Sequence, residues 1–281
     1  MKRFLTLFLS LILSLSFFTF VGCKPDNNNN DNGDNTPPVT PPTPVAPSDC
    51  NFYDDNYFAY YLSDDNTYLS VKYFGGDVDE LTVPTSYNDI PVKSIKTGAF
   101  SNVRIGLLTI LDNIKYAQFG IFNSCRINRV IIDLPDDYDY SHFAMRDCLM
   151  SGHTYINYLE FTDDVKNVDT SIYYKKAGVN GTTQDFPVKY FILPKNLQTI
   201  TIESLGYGRS SILYKGTLED FENIEIIDEN FYGGSLYPVY YVLYTYSEVE
   251  PELNADGTAY DGLYWRYVNN EPVIWEYTPI I

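Results

Sequence analysis

IGLLTILDNIKYAQFGIFNSC (105–125) and INRVIIDLPDDYDYSHFAMRDC (127–148) share one frame. Each opens on a short alternating apolar run, Leu108 and Ile110 in the first and Val130 and Ile132 in the second. Apolar positions then return at Ile114, Phe119 and Phe122, and again at Phe143. One step back, ELTVPTSYNDIPVKSIKTGAFSN (80–102) has Leu81 and Val83 before Pro84, then Val92, Ile95, Ala99 and Phe100. Phe100, Phe122 and Phe143 therefore recur at nearly equal steps, and the step from Ile110 to Ile132 matches them. A period in the twenties indicates stacked coils. One short strand and one return segment cannot close a core, whereas stacking such units makes continuous apolar ladders. Weaker copies follow in YLEFTDDVKNVDTSIYY (158–174) and YFILPKNLQTITIESL (190–205).

Working outward, each end of such a stack exposes an apolar coil and needs a cover. Tyr57–Leu62 and Tyr68–Phe74 flank Asp64-Asp65-Asn66, which predicts a hairpin at one end. Tyr240–Tyr246, with a hairpin of Leu263–Val268 and Pro272–Tyr277 around Asn269-Asn270, is expected to cover the other. Trp265 and Trp275 are then expected in that cap's core, with ligand anchors as the other reading. Composition agrees: 44% hydrophobic, 20% charged and 16% aromatic residues, with 27 Tyr and 17 Phe, describe a folded, strand-rich chain.

The stretch before Asp49 reads differently. Lys2 and Arg3 precede an apolar run from Phe4 to Val21, the pattern of a secretory leader, although the run is also long enough to span a bilayer. The junction Phe20-Val21-Gly22-Cys23 resembles the lipobox of bacterial lipoproteins, with Phe20 where Leu is usual. That resemblance implies a leader of residues 1–22, a lipid on Cys23 and an extracytoplasmic chain anchored at a membrane. KPDNNNNDNGDNTPPVTPPTPVAPS (24–48) has no apolar periodicity, so residues 23–48 are expected to be a disordered Asn/Asp/Pro-rich tether. Its proline-rich half extends at about 3 Å per residue. A calcium loop opened at Asn28 places Val39 where a bidentate Glu is needed, and Asp256-Gly257 similarly places Leu263 there. Both fail. The repeat domain with its caps is assigned to residues 49–281.

IPVKSIKTGAFSN (90–102) resembles the P-V-x-x-I-x-x-x-A-F unit of the BspA-like leucine-rich repeat family, and NSCRINRVII (123–132) is similar to that family's Cys-bearing join between coils. Tyr214-Lys215-Gly216-Thr217-Leu218-Glu219-Asp220-Phe221 resembles its Y-x-G-T-x-x-x-W segment, with Phe for Trp. LYTYSEVEP (243–251) and GLYWRYVNNEPVIW (262–275) are similar to its C-terminal ending. The resemblance runs from Tyr57 to Trp275, with inserts around Asp133–Tyr140 and Lys175–Asp185. It implies a β-rich solenoid of short strands, irregular or short helical returns and β-hairpin caps. It also implies a non-catalytic surface module for adhesion or contact with a host or matrix protein; a glycan-binding lipoprotein is the other reading.

Four cysteines are present, Cys23, Cys50, Cys125 and Cys148. Cys125 and Cys148 follow the repeated Phe and are expected as buried free thiols in successive coils. A disulfide between them stays open for an exported chain. The two histidines, His142 and His153, lie in no zinc, nucleophile-elbow or nucleotide motif, and no spacing supports a Cys148/His153 dyad. Asp136/Asp137 and Asp163/Asp164 read as solvated turn residues rather than a glycosidase pair. No enzyme, cofactor or metal is therefore expected. The formal net charge of −18 argues against nucleic acid and against lying flat on anionic lipid. The expected partners are the membrane, through the lipid, and an unknown protein or glycan. Asp136, Asp137, Tyr138, Asp139 and Tyr140 form the sharpest candidate binding stretch, able to stack on sugars or meet a basic patch; the alternative is an irregular acidic loop.

Overall fold

Apolar residues at the first, fourth and sixth positions of each repeat frame decide how the chain stacks. Ile105, Leu108 and Ile110 in one strand correspond to Ile127, Val130 and Ile132 in the next. Ile156, Leu159 and Phe161, then Val188, Phe191 and Leu193, continue the series, and all twelve are at most 2% exposed. This is the L-x-x-L-x-L opening of a leucine-rich repeat. The computed structural model describes residues 43–118, 120–133, 150–151, 154–169, 188–202, 211–228 and 242–279.

Among the described residues the main sheet has nine strands. Val78–Thr82, Arg104–Ile110, Arg126–Ile132, Tyr155–Phe161, Val188–Leu193, Ser211–Tyr214, Val242–Tyr246 and Tyr264–Val268 run parallel in that spatial order, and Glu271–Ile274 turns back antiparallel. Strict register turns each inward position into a row across the sheet. One such row is Leu81, Leu108, Val130, Leu159, Phe191, Ile212 and Leu243. At Gly106 a Cβ would sit 2.4 Å from the Asp79 carbonyl oxygen, so only glycine allows the first two strands to approach.

The turn that leaves each strand also repeats. Ile114, Val165 and Leu197 donate their backbone N–H to the carbonyl three residues earlier and drop a buried side chain into the core. Asn113 and Asn196 occupy the asparagine position of the repeat frame. Their side-chain amides donate to carbonyls of the previous coil, Val92 at 2.7 Å and Asp163 at 3.4 Å. Short parallel ladders form the return side: Phe100–Ser101, Phe122–Asn123 and Met150–Ser151 in one, Asn167–Asp169, Thr199–Ile202 and Glu225–Asp228 in the other. Phe100 and Phe122 stack with ring centroids 5.6 Å apart. Their coils share a backbone signature, with Gly98 and Gly120 both at φ 61 and Asn102 and Ser124 at φ 56 and φ 52. One return contains the helix Leu218–Glu222, started by a Thr217/Asp220 capping box and holding buried Phe221 against Tyr214.

The period is not constant. The step from Ile127 to Ile156 is longer than that from Ile105 to Ile127, and the step from Ile156 to Val188 is longer again. The inserts in the central coils leave the ladder in register, because they fall between strands. They do move the return-side positions. Phe122 is followed along its ladder by Met150 rather than Phe143, and the place after Cys125 is taken by Thr154 rather than Cys148. Phe143 and Cys148 lie outside the described residues. Cys125 is a free thiol with no exposed surface, and burial pushes its pKa up to about 11.

The N-terminal hairpin is present as expected: Phe58–Leu62 pairs with Leu69–Tyr73 from Phe58↔Tyr73 to Leu62↔Leu69. Leu69–Tyr73 then pairs in parallel with Ile90–Ile95, so Phe58, Tyr60, Leu69 and Val71 enter the same core as the repeats. Burial raises the Tyr60 pKa far above the tyrosine range, aided by its hydrogen bond to Asp54, and lifts Tyr61 to about 12. Two expectations follow. Leu108→Ala should lower stability by about 3 kcal/mol through a cavity in the inner row, read from denaturant unfolding. A folded tyrosine pKa above the unfolded value of about 10 means that stability is full below that pH and is lost as pH rises through the folded values. Alkaline titration followed by tyrosinate absorbance should therefore show a late group of tyrosines ionising with unfolding.

Candidate functional site

Strand alternation sends every side chain that is not in the core to the outer side of the nine-stranded sheet. Register arranges these into rows: Glu80, Leu107, Arg129, Tyr158, Tyr190 and Ser211 in one, and Thr82, Thr109, Ile131, Glu160, Ile192, Leu213 and Tyr244 in another. The C-terminal hairpin lies across the second half of this face. It was expected to cover the far end of the stack, with Tyr240–Tyr246 as part of the cap. Instead, Val242–Tyr246 is the seventh parallel strand, and the hairpin crosses back over the strands before it. Trp265 meets Tyr214, Tyr267 meets Glu160 and Asn270 meets Arg129, so its contacts move steadily toward earlier coils. The turn at its tip has Asn269 at φ 52 and Asn270 at φ 65, the two left-handed residues of a tight primed turn.

The cause is legible in the outer rows. Ile192 and Leu213 are apolar, face away from the main core and need burial of their own. Trp265 supplies it: all three have no exposed surface and form a second small core with Tyr158, Tyr190, Tyr244, Tyr246, Tyr267 and Ile274 around them. The Trp265 indole N–H donates to the Tyr214 carbonyl at 2.9 Å, and its ring meets Tyr246 and Tyr267 edge-on at 5.3 and 5.0 Å. Trp265 is thus a core residue of the hairpin. Trp275 is half-buried, donates to the Ser247 carbonyl at 2.9 Å and carries the Arg266 guanidinium 3.7 Å above its ring.

Beyond this apolar cluster the hairpin is held by charge. Glu160 is 5% exposed and accepts from Arg129 Nε at 2.8 Å and from the Tyr267 hydroxyl at 2.8 Å, with Lys215 Nζ at 3.0 Å. Arg129 also donates to the Asn270 carbonyl, and the Tyr158 hydroxyl to that of Pro272 at 3.2 Å. Burial, then the Glu160 carboxylate, pushes the Tyr267 hydroxyl far above the tyrosine range, so it stays a donor. Tyr158 and Tyr190 stack beside this cluster at 5.1 Å, 16° from parallel.

Of the residues singled out in the sequence, Cys23, Asp136, Asp137, Tyr138, Asp139, Tyr140, His142 and His153 lie outside the described residues. Asp163 sits in a turn and pairs with Lys215 at 3.2 Å, a structural role. Among the described residues no group of three or more His, Cys, Asp or Glu is placed to hold a metal ion. The residues missed were Arg129, Glu160 and Lys215; opposite charges at the outer positions of successive coils were the available signal. Glu160→Gln should weaken the hold on the hairpin tip by about 2 kcal/mol, since the half-buried Arg129 and Lys215 lose the carboxylate they share. Limited proteolysis near Asn269 should then accelerate while the inner-row strands stay protected.

No protein-family model and no curated protein matches the chain. A leucine rich cell surface protein from Faecalibacterium prausnitzii A2-165 aligns at 14% identity and TM-score 0.29, over 80% of this chain. The chain spans 61% of that structure's length. A leucine rich repeat protein from T. pallidum aligns at 13% identity and TM-score 0.26, over 69% of this chain and 85% of its own. Among the described residues no helix is long and apolar enough to cross a membrane. By its own repeat frame, asparagine turns and parallel register, the chain is a leucine-rich-repeat β-solenoid of the kind its BspA-like resemblance implied.

Proposed function

We propose that this chain is a bacterial surface lipoprotein displaying a non-catalytic leucine-rich repeat module for adhesion or contact with a host or matrix protein. The observation that carries this reading is the outer face of the nine-stranded sheet. Register there lines up side chains from successive coils in rows that have no part in the main core. Solenoids use such extended surfaces to bind macromolecules. The hairpin covers the later part of the face, so Val78–Thr82, Arg104–Ile110 and the starts of Arg126–Ile132, Tyr155–Phe161 and Val188–Leu193 supply the open part. The leader-like residues 1–22, the lipobox-like Cys23 and the Asn/Asp/Pro-rich residues 23–48 support display on a lipid tether, with residues 49–281 as the exposed module. Glycan capture beside surface enzymes or transporters is a second reading, supported by exposed Tyr155 beside the Asn128/Asn157 amide pair.

The test uses cells expressing the full chain. Metabolic labelling with a fatty acid should mark the parent protein and fail with Cys23→Ala, which should leave it unprocessed or released. Unchanged labelling of that variant would sink the anchor. Cells bearing the parent chain should bind immobilised matrix protein and lose that binding after surface proteolysis. Equal binding by cells without the chain would remove the adhesive role.

A further inference from the structure

The register places two arginines directly opposite one another on neighbouring strands of the outer face. Arg104 pairs with Arg126, and Arg126 with Tyr155; all three are exposed, Tyr155 by 44%. Adjacent strands are about 4.8 Å apart. Like charges held so close destabilise a sheet. The chain has 37 acidic and 19 basic residues, so a neutralising carboxylate was readily available. Among the described residues neither guanidinium has one within ion-pair distance. Asp77, beside the same edge, accepts the Arg104 backbone N–H at 2.8 Å instead.

The next outer row continues the chemistry. Asn157 donates its side-chain amide to Asn128 at 3.1 Å, and Lys189 follows in register, exposed, with its ammonium 4.8 Å from the Tyr190 ring. This stripe of three cations, two amides and a tyrosine ring starts where the hairpin stops, since the hairpin tip reaches only Arg129.

We infer that Arg104, Arg126, Asn128, Tyr155, Asn157 and Lys189 form a binding site for an acidic glycan, one carrying carboxylate or sulfate groups along a sugar chain. This rests on the reading of the outer face as the binding face, and it names the ligand's chemistry. Guanidinium forks match carboxylate and sulfate geometry. Amides hydrogen-bond hydroxyls, and an exposed tyrosine ring packs on the apolar face of a sugar. An acidic peptide would also satisfy the arginines and the amides, but it lacks the flat apolar sugar face that the exposed Tyr155 ring matches.

Purified lipidated full-length protein in detergent should be tested against polygalacturonate and heparin, with dextran and polyglutamate beside them. Binding to at least one acidic glycan is expected, weakening as salt rises. It should fall at least about tenfold in Arg104→Gln/Arg126→Gln, the loss of about one charge-assisted contact. Dextran and polyglutamate should bind at least about tenfold more weakly than that glycan. The double variant should melt at or above the parent temperature, because a like-charge pair is gone; binding lost together with the fold would overturn the assignment. So would no binding to either acidic glycan, equal binding by the double variant, or equal binding to polyglutamate. Equal glycan binding by the parent chain and the double variant, with immobilised matrix protein still held by both, would remove this site and leave the adhesive reading standing.

Discussion

In-register stacking of apolar triplets is the constraint on which everything else in this molecule depends. Ile105, Leu108 and Ile110 bury nothing by themselves; they close a core only with Ile127, Val130 and Ile132 on one side and the Val78–Thr82 strand on the other. Register therefore has to be strict, since a slip by one residue would send the triplet to solvent. The turn asparagines, the left-handed residues at 98, 102, 120 and 124 and the glycine at 106 all serve that alignment. Inserts are tolerated where they leave it alone. The lengthened steps to Ile156 and to Val188 show this, since pairing resumes at both without loss.

The same register creates the functional surface and its limit. Inner positions become a core, and outer positions become rows reaching across several coils. Where those rows turn apolar, at Ile192 and Leu213, the chain covers them with Trp265; where they turn charged, at Arg129 and Glu160, it ties the hairpin tip down. The C-terminal hairpin thus continues the sheet from Thr245 and Tyr246 and folds back over its outer face. What remains open mixes Leu107 and Ile131 with polar residues and, along the starts of the Arg104–Ile110 and Arg126–Ile132 strands, carries Arg104 and Arg126 within an acidic chain.

Much of this was legible in the residues, and the limits have physical causes. The Phe100/Phe122 and Ile110/Ile132 spacing gave the coil correctly, because no insert separates those coils and both members of each pair do the same job. The third coil misled, since its insert shifts the return ladder to Met150 and puts Thr154 where Cys148 was expected. Both hairpins could be read from alternation and from Asn66 and Asn269-Asn270, as turn chemistry is local. Where the second hairpin docks could not, because an aromatic strand suits an end cap and a face cover equally. That choice depends on Ile192 and Leu213, which lie several coils earlier in the chain. Glu160 and Arg129 were not singled out in the sequence for the same reason: their partner Tyr267 is remote in sequence from both.

The most direct test of this account is where the Trp265 ring sits. Nuclear Overhauser contacts from the Trp265 indole to the methyl groups of Ile192 and Leu213 should be strong, with a slowly exchanging indole N–H bound to the Tyr214 carbonyl. Contacts to the inward residues Ile212 and Leu243 instead would place the hairpin over the end of the stack and contradict the account.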